Sequence, residues 1–298
     1  MTLRLATRRS PLAVLQAEYV QRRLAEIGHE SELVLVETRG DRESEADLAT
    51  IGGQGVFTVE VQRVVLSGDA DVAVHSAKDL PSVTPDGLIL ASVPERLDPR
   101  DALIGRSLAG LGPGATVATG SPRRRALLLE RRPDLNVVPL RGNMTRRLAA
   151  VGQGGVDAIV AAIAGLERLD QLDLVSEALD PSWFTPQVGQ GALALEARLD
   201  DVSTRAALVA INDIALALVL SAERAFLAEL GAGCSIPAGA YGSFDGDTVT
   251  LRGVMLAPDG TKSARGELIG DDPTSLGRDL ARLVRDDLGG GNFVDWAG

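Results

Sequence analysis

The sequence predicts an α/β protein built from two similar lobes, joined to a small third α+β domain with a three-stranded antiparallel sheet. Three observations carry this. Short apolar strands alternate with helical stretches over the first two-thirds of the chain. The order of motifs near the start returns about a hundred residues later. Beyond residue 238 the pattern changes to short strands separated by Asp-Gly turns.

The 298 residues suit two or three domains of ~100–200 residues each. Hydrophobic residues make up 45% and aromatic ones only 3%, so the cores are expected to be aliphatic. A single cysteine leaves no partner for an internal disulfide. The chain opens without a charged and then apolar leader, and no apolar run approaches the ~20 residues that span a bilayer. The expected location is the cytoplasm, without a membrane partner. A net charge of −11 argues against a general nucleic-acid binder.

In order along the chain, "LRLAT" reads as a strand and "RRSPLAVLQAEYVQRRLAEIG" as a helix. Ser10 is its candidate N-cap, Pro11 its first residue and Gly28 its stop, with Leu12, Leu15, Leu24 and Ile27 expected on one face. "ELVLVETRGD" is a second strand ending in Arg39, Gly40 and Asp41; "TVEVQRVVLSG" is helical; "ADVAVHSAKDLP" is a strand breaking into a loop. The same order recurs in "ATVATGSPRRRALLLERRP", "NVVPLRGN" and "MTRRLAAVGQGGVDAIVAAIAGLERL". Three echoes in one order indicate a duplicated lobe. Both Ser-Pro turns and both Arg-Gly turns fall beyond strand ends, where α/β proteins bind ligands and helix N-termini present free N–H groups.

"VPERLDPRDALIG" (93–105) reads as the crossing to the second lobe, and "GALALEARL" as a returning strand added to the first sheet. "STRAALVAINDIALALVLSAERAFLAELGAG" reads as helical up to Cys234. Three strands and the helix "DPTSLGRDLARLVRDDLGG" follow, and the Gly-rich tail is expected to be loosely ordered.

Against the acidic background, arginines cluster in "TRRS", "SPRRR" and "LRGNMTRR", with Arg168 beyond. One such cluster is usually a solvated face. Several at loop-to-helix junctions suit a polyanionic ligand, because the guanidinium fork matches carboxylate and phosphate. Cys234 alone reads as a small buried hydrophobe, and Asp79 before Leu-Pro as a turn residue.

"LATRRSPLAVLQA", "AVHSAKDLP", "SPRRRALLL", "LRGN", "AGLERL", "VGQGALALE" and "GAGCSIPAGAYG" together resemble the hydroxymethylbilane synthase (porphobilinogen deaminase) family, from residue 3 to about residue 245. The resemblance implies two periplasmic-binding-protein-like lobes plus a cysteine-bearing third domain. The expected division is 1–94 with 191–209 as lobe 1, 95–190 as lobe 2 and 210–298 as domain 3. It implies a transferase that joins four porphobilinogen molecules head-to-tail with loss of ammonia, on a dipyrromethane cofactor, and releases hydroxymethylbilane by hydrolysis. By the same resemblance Cys234 is the attachment residue and Asp79 the catalytic carboxylate. Ser76, Lys78, Thr119, Ser121, Arg123 and Arg124 hold the cofactor's carboxylates. Arg8, Ser10, Arg141, Arg147 and Arg168 hold the substrate and growing chain, and Gln190 lies near the hinge.

The sequence departs from the family pattern at "GGQGVFTVE", where Gln54 and Val59 replace the usual lysines; Val59 is expected in the helix core. His75 reads as a satisfied strand residue, and two histidines with one cysteine give no metal pattern. No sustained exposed apolar stripe demands a partner, so a monomer is expected. Two other classes fit less. A two-lobed binding protein for small carboxylates leaves the third domain without a purpose. A cysteine hydrolase needs a base, and neither His29 nor His75 sits in a persuasive motif.

Overall fold

The computed structural model describes residues 2–38, 58–231 and 236–293. They fall into two compact units, residues 1–96 with 191–217 and residues 97–190 with 218–298. Among the described residues no single helix is long and apolar enough to cross a membrane.

The first unit begins with β1 (Leu3–Arg8), α1 (Pro11–Glu26) and β2 (Ser31–Val36). The Ser10 hydroxyl caps α1 by accepting from Ala13 N at 3.4 Å, and Pro11 starts it where no N–H is needed. Gly28, at φ +83°, turns the chain out of the helix. Next come α2 (Val59–Leu66), β3 (Val72–Ser76) and β4 (Leu88–Ser92).

The second unit then opens with β5 (Asp101–Ile104), β6 (Thr116–Ala118), α3 (Pro122–Arg131), β7 (Asn136–Val138) and α4 (Met144–Ala149). It continues with β8 (Ala158–Ala162), α5 (Ile163–Arg168) and β9 (Val175–Ala178). The chain returns to the first unit as β10 (Leu193–Arg198) and α6 (Val202–Val209), then enters α7 (Ile214–Glu229).

The two five-stranded sheets have one topology. Their orders are β2-β1-β3-β10-β4 and β7-β6-β8-β5-β9. In each, three parallel strands are followed by an antiparallel strand supplied from the other side of the crossing. The duplication legible in the sequence is therefore a duplication of strand order. In the first unit α1 and α6 cover one sheet face around Leu5, Val74 and Leu195, while α2 covers the other around Ala6, Val61 and Ala73.

The third sheet is the antiparallel meander β11 (Ala238–Phe244), β12 (Val249–Leu256) and β13 (Ser263–Gly270), followed by α8 (Pro273–Arg282). Phe226, Leu251, Met255, Leu280 and Val284 form its core with α7 and α8. It is fused to the second lobe inside one unit. Val254 and Leu256 share a core with Leu127 and Leu128 of α3, and Arg265 pairs with Glu130. A Cβ at Gly260 would lie 2.6 Å from Ala126 O, so this turn sits directly on the α3 backbone.

Gly277 plays a similar part between helices, since a Cβ there would lie 2.2 Å from Ala222 O on α7. Gly277→Ala is expected to destabilise the protein by about 1–3 kcal/mol through overpacking. A thermal midpoint unchanged from wild type would show that α8 can shift without cost.

Several local expectations need correction. The buried face of α1 is Ala13, Gln16, Ala17, Val20 and Leu24; Leu15 and Ile27 are exposed. Val59 is exposed on the first turn of α2, where Val61 and Val65 face the core. The long helix expected up to Cys234 is broken between α6 and α7, at Asn212 and Asp213. Asn212 Oδ1 accepts from Val93 N at 2.8 Å, and Asp213 accepts from Leu216 N at 3.0 Å, so both side chains satisfy backbone at the break. At the start of the Gly-rich tail, Gly290–Asn292 form a short 3-10 turn in which a Cβ at Gly290 would lie 3.1 Å from Met255 Cβ, while residues 294–298 lie outside the described residues. Arg39, Gly40, Asp41, Gln54 and Cys234 lie outside the described residues.

Candidate functional site

The first unit carries a recess lined by Arg8, Ser10, Gln16, His75, Ser76 and Asp79. Its architecture follows from two strand ends. β1 delivers Arg8 and the Ser10 cap of α1, and β3 delivers Ser76 before a single 3-10 turn over Ala77–Asp79. Two buried side chains brace these groups from behind. Gln16 donates to the Ser76 hydroxyl at 2.8 Å, leaving that hydroxyl's own proton for another acceptor. Thr7 donates to Ala13 O at 3.1 Å, tying the strand end to the first turn of α1.

The second unit repeats the arrangement at α3. Ser121 caps the helix by accepting from Arg124 N at 3.4 Å, and Thr119 Oγ1 accepts from Ser121 N at 3.2 Å. Gly120 lets two loops meet, because a Cβ there would lie 2.5 Å from Leu140 O. This brings the loop carrying Arg141 against the start of α3. Arg147, on α4, donates from Nε to Gly142 O at 2.8 Å, and Arg168 ends α5. Lys78, Arg8, Arg141, Arg147 and Arg168 each have interactions within the protein.

Arg123 and Arg124 are buried, at 2% and 6% exposure, and both bind Asp101. Arg124 donates from Nε and Nη2 to Asp101 Oδ1 at 3.0 and 2.7 Å and from Nη1 to Val160 O at 3.1 Å. Arg123 donates to Asp101 Oδ2 at 2.7 Å and to Thr185 O, beneath the Phe184 ring. Gln190 completes the cluster, donating to Asp101 Oδ1 at 2.9 Å and Pro99 O at 2.7 Å. Its neighbour Gly189 donates to Glu223 Oε2 at 2.7 Å, which anchors that loop to α7. Burial alone would raise the Asp101 carboxyl, but Arg124 and Arg123 outweigh it and hold the pKa at about 2. Burial, opposed by Asp101, lowers that of Arg123.

The residues read from the sequence thus divide by setting. Ser76, Asp79, Arg8 and Ser10 share one recess, while Thr119, Ser121, Arg123 and Arg124 gather at the start of α3. Sequence reasoning missed Asp101, Gln16 and Glu196. Asp101 had a signal, an acidic residue opening the apolar strand "ALI"; Gln16 had only its helical spacing on the buried face.

The donor set at α3 suits a carboxylate-bearing cofactor. The cluster holds two guanidinium groups against one carboxylate, one positive charge in excess inside the protein. Arg123 Nε is a buried donor without an acceptor among the described residues. An excess cation, an unused buried donor and the N-terminus of α3 together fit an anionic group. Among the described residues no group of three His, Cys, Asp or Glu could hold a metal ion.

Comparison with known proteins agrees with this chemistry. The family model "Porphobilinogen deaminase, dipyromethane cofactor binding domain" matches residues 3–206, and "Porphobilinogen deaminase, C-terminal domain" matches residues 217–286. A porphobilinogen deaminase of Acidothermus cellulolyticus is 44% identical over 293 residues, covering 95% of this chain and 88% of that protein. One of Roseiflexus is 44% identical over 296 residues, covering 97% of each. Among solved structures, the methionine binding protein MetQ aligns over 70% of this chain and 89% of its own at 15% identity, with a TM-score of 0.45. With both halves of the family matched in order along the same chain, this protein belongs to the porphobilinogen deaminase family.

Proposed function

We propose that the family reaction runs on this chain with Asp79 as the catalytic carboxylate and Cys234 as the point of cofactor attachment. The reaction joins four porphobilinogen molecules head-to-tail, releases four ammonia molecules, and frees hydroxymethylbilane by hydrolysis. The cofactor of this family is dipyrromethane; when bound it supplies the pyrrole carbon that begins the chain. What this chain contributes is placement and charge.

The observation that carries the reading is the recess of the first unit, which sets Asp79 beside a serine and an arginine. Loss of ammonia from porphobilinogen leaves a cationic azafulvene. A fixed carboxylate opposes that charge and accepts pyrrole N–H bonds, and both interactions strengthen as charge develops. Ser76, with its hydroxyl proton free, and Lys78 suit acetate and propionate groups. Arg8, Ser10, Arg141, Arg147 and Arg168 provide further sites for the substrate's carboxylates, and Thr119 and Ser121 those of the cofactor. Arg123 and Arg124 act as a buried source of positive potential held in place by Asp101.

By role the chain divides at residues 94/95, 190/191 and 209/210, with the catalytic carboxylate, the arginine set and the attachment cysteine in separate parts. We assign the protein to the cytoplasm as a monomer that binds neither nucleic acid nor membrane, which light scattering and fractionation test directly. Cys234→Ala is expected to give a folded protein with no pyrrole adduct and no product. Intact mass of wild type showing a covalent two-ring pyrrole adduct supports the reading. An alanine variant that consumes porphobilinogen at the wild-type rate would remove Cys234 from it.

A further inference from the structure

The strand that follows Cys234 in sequence lies directly on the buried arginine pair. Gly239, five residues after Cys234, is the second residue of β11. A Cβ there would stand 2.6 Å from Pro186 O, 2.9 Å from Arg123 Cδ and 3.1 Å from Thr185 O, all closer than ordinary van der Waals contact. Thr185 O also accepts from Arg123, so Gly239 packs against both the arginine's arm and the carbonyl that holds it. The same loop is tied to the same strand a second time. Glu223 of α7, fully buried, accepts from Gly189 N at 2.7 Å and from Gly242 N of β11 at 2.9 Å. Gln190, next to Gly189, donates to Asp101, the partner of Arg123 and Arg124. All of these residues belong to the second unit.

We infer that Gly239 is a positioning residue for the cofactor: its missing side chain seats β11 on Arg123 and so fixes the attachment segment against the arginine pair. This rests on the reading that Cys234 carries the cofactor and that Arg123 and Arg124 attract its carboxylates. Five residues of chain span at most about 18 Å, so the seat of Gly239 bounds how far Cys234 can stand from Arg123. A methyl group at position 239 must push β11 and the Pro186 carbonyl apart by roughly 1 Å to reach ordinary contact. That carbonyl is backbone and cannot swing aside like the end of a side chain. Its loop is held on one side by Arg123 at Thr185 and on the other by Glu223 at Gly189. Glu223 is thus a second positioning residue, acting through the same loop and strand.

The test is the rate at which full-length apoprotein, produced without a supply of porphobilinogen, gains pyrrole units when porphobilinogen is added. Each unit joins as its amine leaves as ammonia, taking the proton displaced by the new bond, so intact mass counts units directly. Gly239→Ala is expected to slow adduct formation roughly ten- to hundred-fold, the effect of a displacement near 1 Å on a placed reactant. Gly266→Ala is the control. Its Cβ would meet side chains of Leu280, Leu283 and Val284 at 3.0, 3.1 and 3.3 Å, so it strains the same sheet away from Arg123. It is expected to gain adduct at the wild-type rate even where its thermal midpoint falls as far as that of Gly239→Ala. Glu223→Asp keeps the charge but withdraws the carboxylate by one methylene, and is expected to slow adduct formation less than Gly239→Ala does.

The inference is overturned if Gly239→Ala gains adduct as fast as wild type. It is equally overturned if Gly266→Ala slows the gain as much, since strain in the third domain would then be the whole effect. If Gly239→Ala fails to fold, Glu223→Asp decides, and a wild-type rate there removes the positioning role. Failure of the underlying reading would look different: wild-type apoprotein would gain no pyrrole units at all.

Discussion

Asp101→Asn is expected to cost about 3–5 kcal/mol of stability in the second unit, because it strands two buried arginines. The carboxylate is fully buried and joins Arg123, Arg124 and Gln190 at the start of β5, so no water can take its place without opening the sheet. Hydrogen exchange across residues 101–104 and 158–162, the β5–β8 ladder, reads the loss locally. The double variant Asp101→Asn with Arg123→Met should be less destabilised than Asp101→Asn alone, since it leaves one stranded cation instead of two. An asparagine variant within about 1 kcal/mol of wild type would mean that the cluster is hydrated and loose.

The same cluster fixes an acid limit. The Asp101 pKa of about 2 lies below the ~3.9 of an unfolded aspartate, so its contribution to stability is complete above about pH 4. It is lost as pH falls towards 2, and amounts to about 2–3 kcal/mol over that window.

Asp79→Asn is expected to slow chain extension by about 10²–10³ while the adduct and the fold persist. Asparagine keeps the size of the side chain and part of its hydrogen bonding but removes the charge that opposes the azafulvene cation. Asp79 sits on the 3-10 turn after β3, so neither substitution reaches a core. Asp79→Glu keeps the charge one methylene further out and should retain more activity than asparagine. Single-turnover extension on adduct-bearing protein separates these cases. An asparagine enzyme as fast as wild type would return Asp79 to the role of a turn residue.

Much of this architecture was legible because the signals are local. Ser10 and Ser121 each precede a proline that opens a helix, and the structure makes both serines N-caps. The echo of motifs proved to be an echo of strand order, because strand, Ser-Pro turn and helix form a unit that specifies its own connection. The failures were of another kind. The face of α1 was misassigned because Ala13, Ala17 and Gln16 carry little hydrophobic signal, yet small and polar residues there meet β3. Glu196 sits in an apolar strand and meets His75 and Gln62 at separations of 121 and 134 residues, which no local pattern encodes. The arginines of "SPRRR" are legible as cofactor clamps from their motif, but the pairing of Arg123 and Arg124 with Asp101, on a strand 22 residues before Arg123, is not.

The interleaved sheets have a consequence for synthesis. Strand β10 lies between β3 and β4, so the first sheet is incomplete until residues 193–198 have been made. After β4 emerges, the ribosome must add roughly a hundred more residues, about 5–20 s of translation. During that interval the facing edges of β3 and β4 lack the strand that will join them, and such edges can pair with the wrong partner. Overexpression yield should therefore depend on how quickly the 97–190 segment is translated. Rare codons placed there should lower soluble yield more than the same codons placed after residue 218.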